Sequence, residues 1–230
     1  MIKQQTPTIR SFVLDCGPEP FNFFAGQWVD IHRTINDESH NCGYSITSIP
    51  SKNNTIEIAV KLAPDLLLTK YFHEECKVGD KLYISKAQGD IWINDATDDS
   101  YVFIGGGVGI TPLYSMINRL LEARPETPII LLYSITNPDE FLFKNEISHL
   151  ERKYPDFKYY VTVTREKDHK FDFSGRISEE IMRTTNLPEN ASYYLCGPPP
   201  MVDAVANLLT DLKAELKLNP SRIFYDKWWA

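Results

Sequence analysis

The chain has 230 residues, 43% of them hydrophobic and 24% charged, which is enough apolar content for one large core or two small ones and excludes a disordered or fibrous protein. The formal net charge of -7 is evenly spread, with 9 Lys+Arg against 13 Asp+Glu in residues 1–98 and 15 against 18 afterwards. No basic module or acidic tail stands out, so nucleic acid is not an expected partner. No apolar run approaches the roughly 20 residues of a membrane-spanning helix, and Met1-Ile2-Lys3-Gln4-Gln5-Thr6-Pro7 lacks the basic-then-apolar plan of a secretory signal. A soluble intracellular chain without a membrane span is expected.

Short strands fill the first hundred residues. Segments around Phe12-Val13-Leu14, Trp28-Val29-Asp30-Ile31 and Leu82-Tyr83-Ile84 are separated by turns such as Cys16-Gly17-Pro18. Residues Thr55 to Leu62 place Ile56, Ile58, Val60 and Leu62 on one face at period two. This spacing predicts a small antiparallel β-barrel over residues 1–98. After the polar stretch Asn94 to Ser100 the pattern changes, and residues 99–230 alternate strands and helices. Tyr101 to Ile104 reads as a buried strand, and Leu113, Met116, Ile117, Leu120 and Leu121 mark one face of a helix. Ile129 to Tyr133, Tyr159 to Val163 and Tyr193 to Leu195 read as further strands. Phe143, Ile147, Leu150 and Tyr154 mark one more helix, and Val205, Leu208, Leu209 and Leu212 the last. Such alternation predicts an α/β domain on a parallel sheet.

Cys16, Cys42, Cys76 and Cys196 are scattered without a C-x2-C pair, and the five histidines form no ligand spacing, so no metal site is expected. Neither G-x-S-x-G, H-E-x-x-H nor a P-loop occurs, which excludes the common hydrolase plans. Three segments carry chemistry instead. Gly105-Gly106-Gly107-Val108-Gly109-Ile110-Thr111-Pro112 lies between a buried strand and an amphipathic helix. Its glycines let backbone approach a phosphate, and the helix N-terminus offers free N–H groups to a pyrophosphate. It departs from G-x-G-x-x-G, since Ile110 stands in the third glycine's place counting from Gly105. Leu195-Cys196-Gly197-Pro198-Pro199-Pro200-Met201 ends a late strand in a stiff loop, where Cys196 either reaches a bound ring or is an inert buried thiol. Gly43-Tyr44-Ser45-Ile46-Thr47-Ser48 is either a strand with a core tyrosine or an aromatic platform for a flat cofactor.

Together with Gly26-Gln27-Trp28-Val29, Val78-Gly79-Asp80 and the closing aromatics, these segments resemble the ferredoxin–NADP reductase superfamily in order and spacing over essentially the whole chain. The resemblance implies a two-domain α+β protein, with a flavin-binding barrel and an NAD(P)-binding α/β domain. The expected function is flavin-dependent NAD(P)H oxidoreduction, with FAD (or FMN) and NAD or NADP as cofactors and hydride passing between nicotinamide C4 and flavin N5. The electron acceptor is unnamed, and a protein partner is one option. By the same resemblance Tyr44 stacks on the isoalloxazine and Ser45 lies near N5, with Ile46 and Thr47 continuing the strand. Thr69 belongs to the short helix that receives the flavin pyrophosphate. Gly105, Gly106, Gly107, Val108, Gly109, Thr111 and Pro112 hold the dinucleotide phosphates. Cys196, with Gly197, Pro198 and Met201, faces the nicotinamide, and an aromatic from Tyr225, Trp228 or Trp229 covers flavin or nucleotide. Ser45 and Cys196 tune hydride transfer.

One departure stands out. The family motif is Arg-x-Tyr-Ser, and this chain has Cys42-Gly43-Tyr44-Ser45. Loss of a charge-assisted contact, about 1.5–3 kcal/mol, predicts a weaker hold on FAD, a substitute cation such as Lys70 or Arg33, or FMN in its place. A flavin-free nucleotide-binding or regulatory module that kept the fold is the alternative reading. Thr164-Arg165 and Gly175-Arg176 resemble positions that NADP-using members employ, which favours NADPH. The resemblance points to mitochondria and the sequence itself only to a soluble intracellular chain, so a mitochondrial or cytoplasmic setting is expected.

Overall fold

Period-two alternation in the first half produces six strands: β1 (Ile2–Thr6), β2 (Ile9–Asp15), β3 (Trp28–Ile35), β4 (Glu38–Ser45), β5 (Thr55–Lys61) and β6 (Tyr83–Ile84). The computed structural model describes all residues except 52, 96, 167–169 and 228–230. The strands form two three-stranded antiparallel sheets in the orders β1-β2-β5 and β4-β3-β6. A bridge between Ile46 and Ile58 joins the sheets. Strands β3 and β4 turn on Asn36 and Asp37, both left-handed at φ 51° and 64°, as a two-residue hairpin that matches strand twist requires. Phe12, Val29, Ile31, Ile46, Ile58 and Phe72 fill the interior between the sheets. The helix α1 (Leu67–Lys70) runs directly into a π-helical turn over Tyr71–Glu75.

The second half contains β7 (Tyr101–Gly106), α2 (Ile110–Ala123), β8 (Ile129–Ile135), α3 (Lys144–Lys153), β9 (Phe157–Val163), β10 (Phe173–Ser174), α4 (Glu179–Thr184), β11 (Ser192–Gly197), α5 (Pro199–Asp211) and β12 (Ile223–Lys227). Its six strands form one parallel sheet in the order β10-β9-β8-β7-β11-β12. Both faces are covered over the central strands β7, β8 and β11, which are mostly apolar and almost wholly buried. On one face Phe103, Leu131 and Phe157 pack with Leu113 and Ile117 of α2. On the other, Val102, Ile104 and Leu195 pack with Val202, Val205 and Leu209 of α5.

The α2 face continues into the barrel, because Ile9, Ala59 and Ile93 join its apolar cluster. Polar contacts fix the same interface. Ser115 of α2 donates to the Ser48 carbonyl at 2.7 Å, and the Glu140 carboxylate accepts from Thr6 and Thr8 at 2.9 and 2.8 Å. Two elements differ from the sequence expectation. Phe143 precedes α3 in a left-handed conformation, φ 60°, and its buried ring stacks on Tyr114 at 4.2 Å. The terminal segment Ile223–Lys227 is a sixth strand, paired along its whole length with β11. Among the described residues no helix is long and apolar enough to cross a membrane.

Candidate functional site

Strand order reverses at β7: the chain moves to β8 on one side and returns later to β11 on the other. Loops at the carboxyl ends of β7 and β11 therefore face each other across a crevice, where open α/β sheets bind ligands. Gly105 and Gly106 end β7, and Gly107-Val108-Gly109 makes a single 3-10 turn into α2. The two loops touch through backbone. A Cβ on Gly109 would collide with the Cys196 carbonyl, and one on Gly106 with the Met201 sulfur. The close-packing role expected of a third glycine thus falls to Gly109, while Ile110 is buried under the sheet.

Side chains brace this turn. The buried Tyr133 hydroxyl donates to the Gly107 carbonyl at 2.9 Å, and burial raises its pKa so that it stays a donor. The Thr111 hydroxyl donates to the Val108 carbonyl at 2.8 Å, so it closes the turn from within. Pro112 is buried in the first turn of α2, where its missing N–H costs nothing.

A cleft of about 500 Å³ opens along these strand ends, lined by Gly106 to Gly109, Gly197, Pro198 and Met201. Arg165, after β9, and Arg176, after β10, line the same cleft. Neither forms an ion pair among the described residues. Thr164, beside Arg165, lines it as well, and Lys61, Ser134 and Thr136 line it and escaped the sequence reading. Lys61 comes from the barrel, at the end of β5, and nothing in its local pattern signals that the two halves meet there.

Cys196 is 1% exposed, in register with Gly105 on one neighbour and Asp226 on the other. Asp226 is a further residue the sequence reading missed, since it became visible only once β12 paired with β11. Two residues upstream, Tyr194 stacks on Phe103 at 5.4 Å and on Phe224 at 4.9 Å. This aromatic row pins β12 to the sheet beneath Cys196 and Asp226. Tyr225 is 51% exposed, with the Lys227 ammonium 5.4 Å from its ring centroid. Trp228 and Trp229 lie outside the described residues.

In the barrel, β4 carries Tyr44 opposite Val29 and Cys42 opposite Ile31. The Tyr44 ring is 7% exposed and meets Phe72 edge-on at 5.6 Å. Ser45 lies in register with Trp28, and Ile46 is fully buried. The Tyr44 hydroxyl meets the Cys42 thiol, and the Thr47 hydroxyl is buried without a hydrogen-bond partner among the described residues. Burial raises the pKa of Tyr44 and that of the neighbouring Cys42 thiol, so both stay protonated and neutral. Thr69 differs: its oxygen accepts from the Ala63 N–H at 3.0 Å and lies 2.8 Å from the Ala63 carbonyl and 2.9 Å from that of Leu66. Its side chain is spent on the loop entering α1.

The two halves meet in one chain of contacts. Ser48 is bonded to Ser115 of α2, and the start of α2 abuts Cys196 through Gly109. Residues 4–92 match the oxidoreductase FAD-binding domain family and residues 103–207 the oxidoreductase NAD-binding domain family. The oxidoreductase NAD-binding domain-containing protein 1 of Danio rerio is 32% identical, over 99% of this chain and 89% of its own length. The chain belongs to the ferredoxin–NADP reductase superfamily. A flavohemoprotein of Bacillus thuringiensis subsp. konkukian is 31% identical over 91% of the chain, and the chain spans 55% of its length. The flavohem-like FAD/NAD-binding domain of nitric oxide dioxygenase from Vibrio cholerae shares the fold, with a TM-score of 0.88 at 24% identity over 99% of this chain and 95% of that one. Ferredoxin-reductase-type proteins pair a flavin with a nicotinamide dinucleotide, and this chain carries both binding domains, FAD-type and NAD-type.

The residues present fit both groups. The flat Tyr44 ring, 7% exposed, offers a stacking platform, and just beyond its strand the Thr47 hydroxyl is buried without a partner among the described residues. The glycine-lined cleft, flanked by Arg165 and Arg176, neither ion-paired among the described residues, fits a dinucleotide with its phosphates.

Proposed function

We propose that the chain takes two electrons from NAD(P)H onto a flavin lying against residues 44–47 and delivers them to an acceptor on another protein or domain. The observation that carries this reading is the crevice between the β7 and β11 loops, joined through α2 to the Tyr44–Ser48 segment. A bound flavin supplies the hydride-accepting chemistry, and the protein supplies position and electrostatics. We place the domain boundary between residues 98 and 99.

Each residue then has a physical task. Gly105, Gly106, Gly107, Val108 and Gly109 give the nucleotide phosphates access to backbone N–H groups at the head of α2, with Thr111 and Pro112 fixing that turn. Gly197, Pro198 and Met201 form the opposing wall. Cys196 and Ser45 face the reacting rings, the Ser45 hydroxyl as a hydrogen-bond donor and the Cys196 thiol as a small polarisable contact. Asp226, beside Cys196, holds a negative charge where a nicotinamide becomes cationic on oxidation. Tyr44 and Thr47 meet the flavin, and Ile46 holds that strand in the core. Arg165 and Arg176 receive a 2′-phosphate, which favours NADPH. The closing residues Trp228 and Trp229, which follow β12 in sequence, are assigned a covering role. Four free cysteines suit a reducing compartment, cytoplasmic or mitochondrial.

The reading is tested by stopped-flow reduction of the flavin-loaded chain. Ser45→Ala is expected to slow flavin reduction by about tenfold, the loss of one hydrogen bond of about 1.4 kcal/mol, while NADPH affinity changes little. An unchanged rate would remove Ser45 from the site.

A further inference from the structure

Within the glycine loop, Gly107 and Val108 are half-buried while Gly105, Gly106 and Gly109 are buried. Gly107 is left-handed, φ 53°, and a Cβ built on it would meet nothing within 4 Å. Packing therefore leaves this position free, in contrast to Gly106 and Gly109, which atoms of the opposing loop hem in. Glycine itself has little preference for one sign of φ. The plane of the Gly107–Val108 peptide is set by the bonds that its carbonyl accepts. One comes from the Ile110 N–H, which closes a single 3-10 turn, a turn whose hydrogen-bond geometry is poorer than that of an α-helix. The other comes from the Tyr133 hydroxyl at 2.9 Å.

Tyr133 has a fixed address. It lies on β8 in register with Gly105 and is fully buried. The Phe141 ring meets it edge-on at 5.5 Å, and the Leu142 backbone amide meets its hydroxyl. The segment that carries both is anchored on the barrel, where the Glu140 carboxylate accepts from Thr6 and Thr8. With Leu142 donating to its oxygen, the hydroxyl has one proton to give, and that proton goes to the Gly107 carbonyl. The C=O and N–H of a trans peptide point in opposite directions. A carbonyl drawn in toward Tyr133 thus turns the Val108 N–H outward, at a residue that lines the cleft. Ser134, the next residue of β8, lines that cleft, so Tyr133 points away from it, to the other face of the strand.

We infer that Tyr133 is a positioning residue for the nucleotide, whose hydroxyl holds the Gly107–Val108 peptide with the Val108 N–H turned toward the dinucleotide diphosphate. The inference rests on the assignment of this cleft to the dinucleotide. The diphosphate is common to NADH and NADPH, so the hold is equal for both, unlike that of Arg165 and Arg176.

Tyr133→Phe removes one oxygen and keeps the ring. In stopped-flow reduction of the flavin-loaded chain, the half-saturating concentrations of NADH and NADPH should both rise by about tenfold, while the limiting rate and the flavin affinity stay at wild-type values. Unchanged half-saturation, or a fall in flavin affinity alongside that of nucleotide, would overturn the positioning role. A second measurement uses the unsubstituted chain and no turnover: amide NMR during titration with NADH. The Val108 N–H resonance should shift as the cleft fills, and in Tyr133→Phe it should shift less. A Val108 resonance that stays still while those of Gly109 and Gly197 move overturns the inference and leaves the cleft reading standing. No movement at any of the three overturns both.

Discussion

The nucleotide cleft is built from backbone, and the flavin surface is built from side chains. In the cleft, two glycine-containing loops at neighbouring strand ends press against each other, and the positions of Gly106 and Gly109 are dictated by atoms of the opposing loop. In the barrel, β4 presents the Tyr44 ring and the segment after it the buried Thr47 hydroxyl, and the adjoining helix spends its threonine on the loop before it. Function built from backbone tolerates no added atom, whereas function built from side chains can be tuned by exchange of one residue, as Cys42 illustrates.

Gly109→Ala should separate the two kinds of site most sharply. Its new Cβ meets the Cys196 carbonyl, a backbone atom that cannot rotate away, so overpacking of about 1–3 kcal/mol is expected. NADPH affinity should fall by more than about tenfold in a binding titration, with flavin affinity unaltered. Equal loss of both ligands would mean that the loop supports the whole molecule and not the cleft.

Arg165→Ala and Arg176→Ala come next in size. Each should raise the Michaelis constant for NADPH by about one to two decades and leave that for NADH nearly constant. The same factor for both nucleotides would remove the 2′-phosphate from the account.

The smallest effect concerns Glu57, whose carbonyl accepts from the Thr47 N–H at 2.7 Å and whose N–H donates to the Ser48 hydroxyl at 3.0 Å. Burial raises its carboxyl pKa above the ordinary 4.5, and Glu146 adds to the rise while Ser11 opposes it. The folded state therefore holds the proton more tightly than the unfolded chain, so the stability it contributes is complete below about pH 4.5 and is lost as pH rises through the folded value. Wild type should lose about 1–2 °C in Tm relative to Glu57→Gln across that rise. Parallel Tm profiles for the two proteins would place Glu57 fully in water.

The same contrast explains what was legible beforehand. Buried parallel strands are continuous apolar runs, so Tyr101 to Ile104 and Ile129 to Tyr133 were readable. The α2 stripe was also clear, and Leu113, Met116, Ile117, Leu120 and Leu121 are all buried. The glycine loop was readable because close backbone contact leaves a compositional mark. Strand β12 left none, because its Phe224-Tyr225-Asp226-Lys227 run is ordered by stacking on Tyr194 and not by alternation. Asp226 and Lys61 became visible only when distant strands were brought together. Thr69 and Thr111 matched a motif by residue type, yet both hydroxyls bond to their own loops. Sequence spacing records which hydroxyl is present and not which acceptor it meets.

The central claim is that nicotinamide and flavin react on this chain. It is tested most directly by mixing the purified chain and flavin anaerobically with NADPH and following the visible flavin band. The account predicts bleaching in proportion to the NADPH added, at a rate far above that of flavin and NADPH alone. A flavin that stays oxidised while both ligands are bound would contradict it.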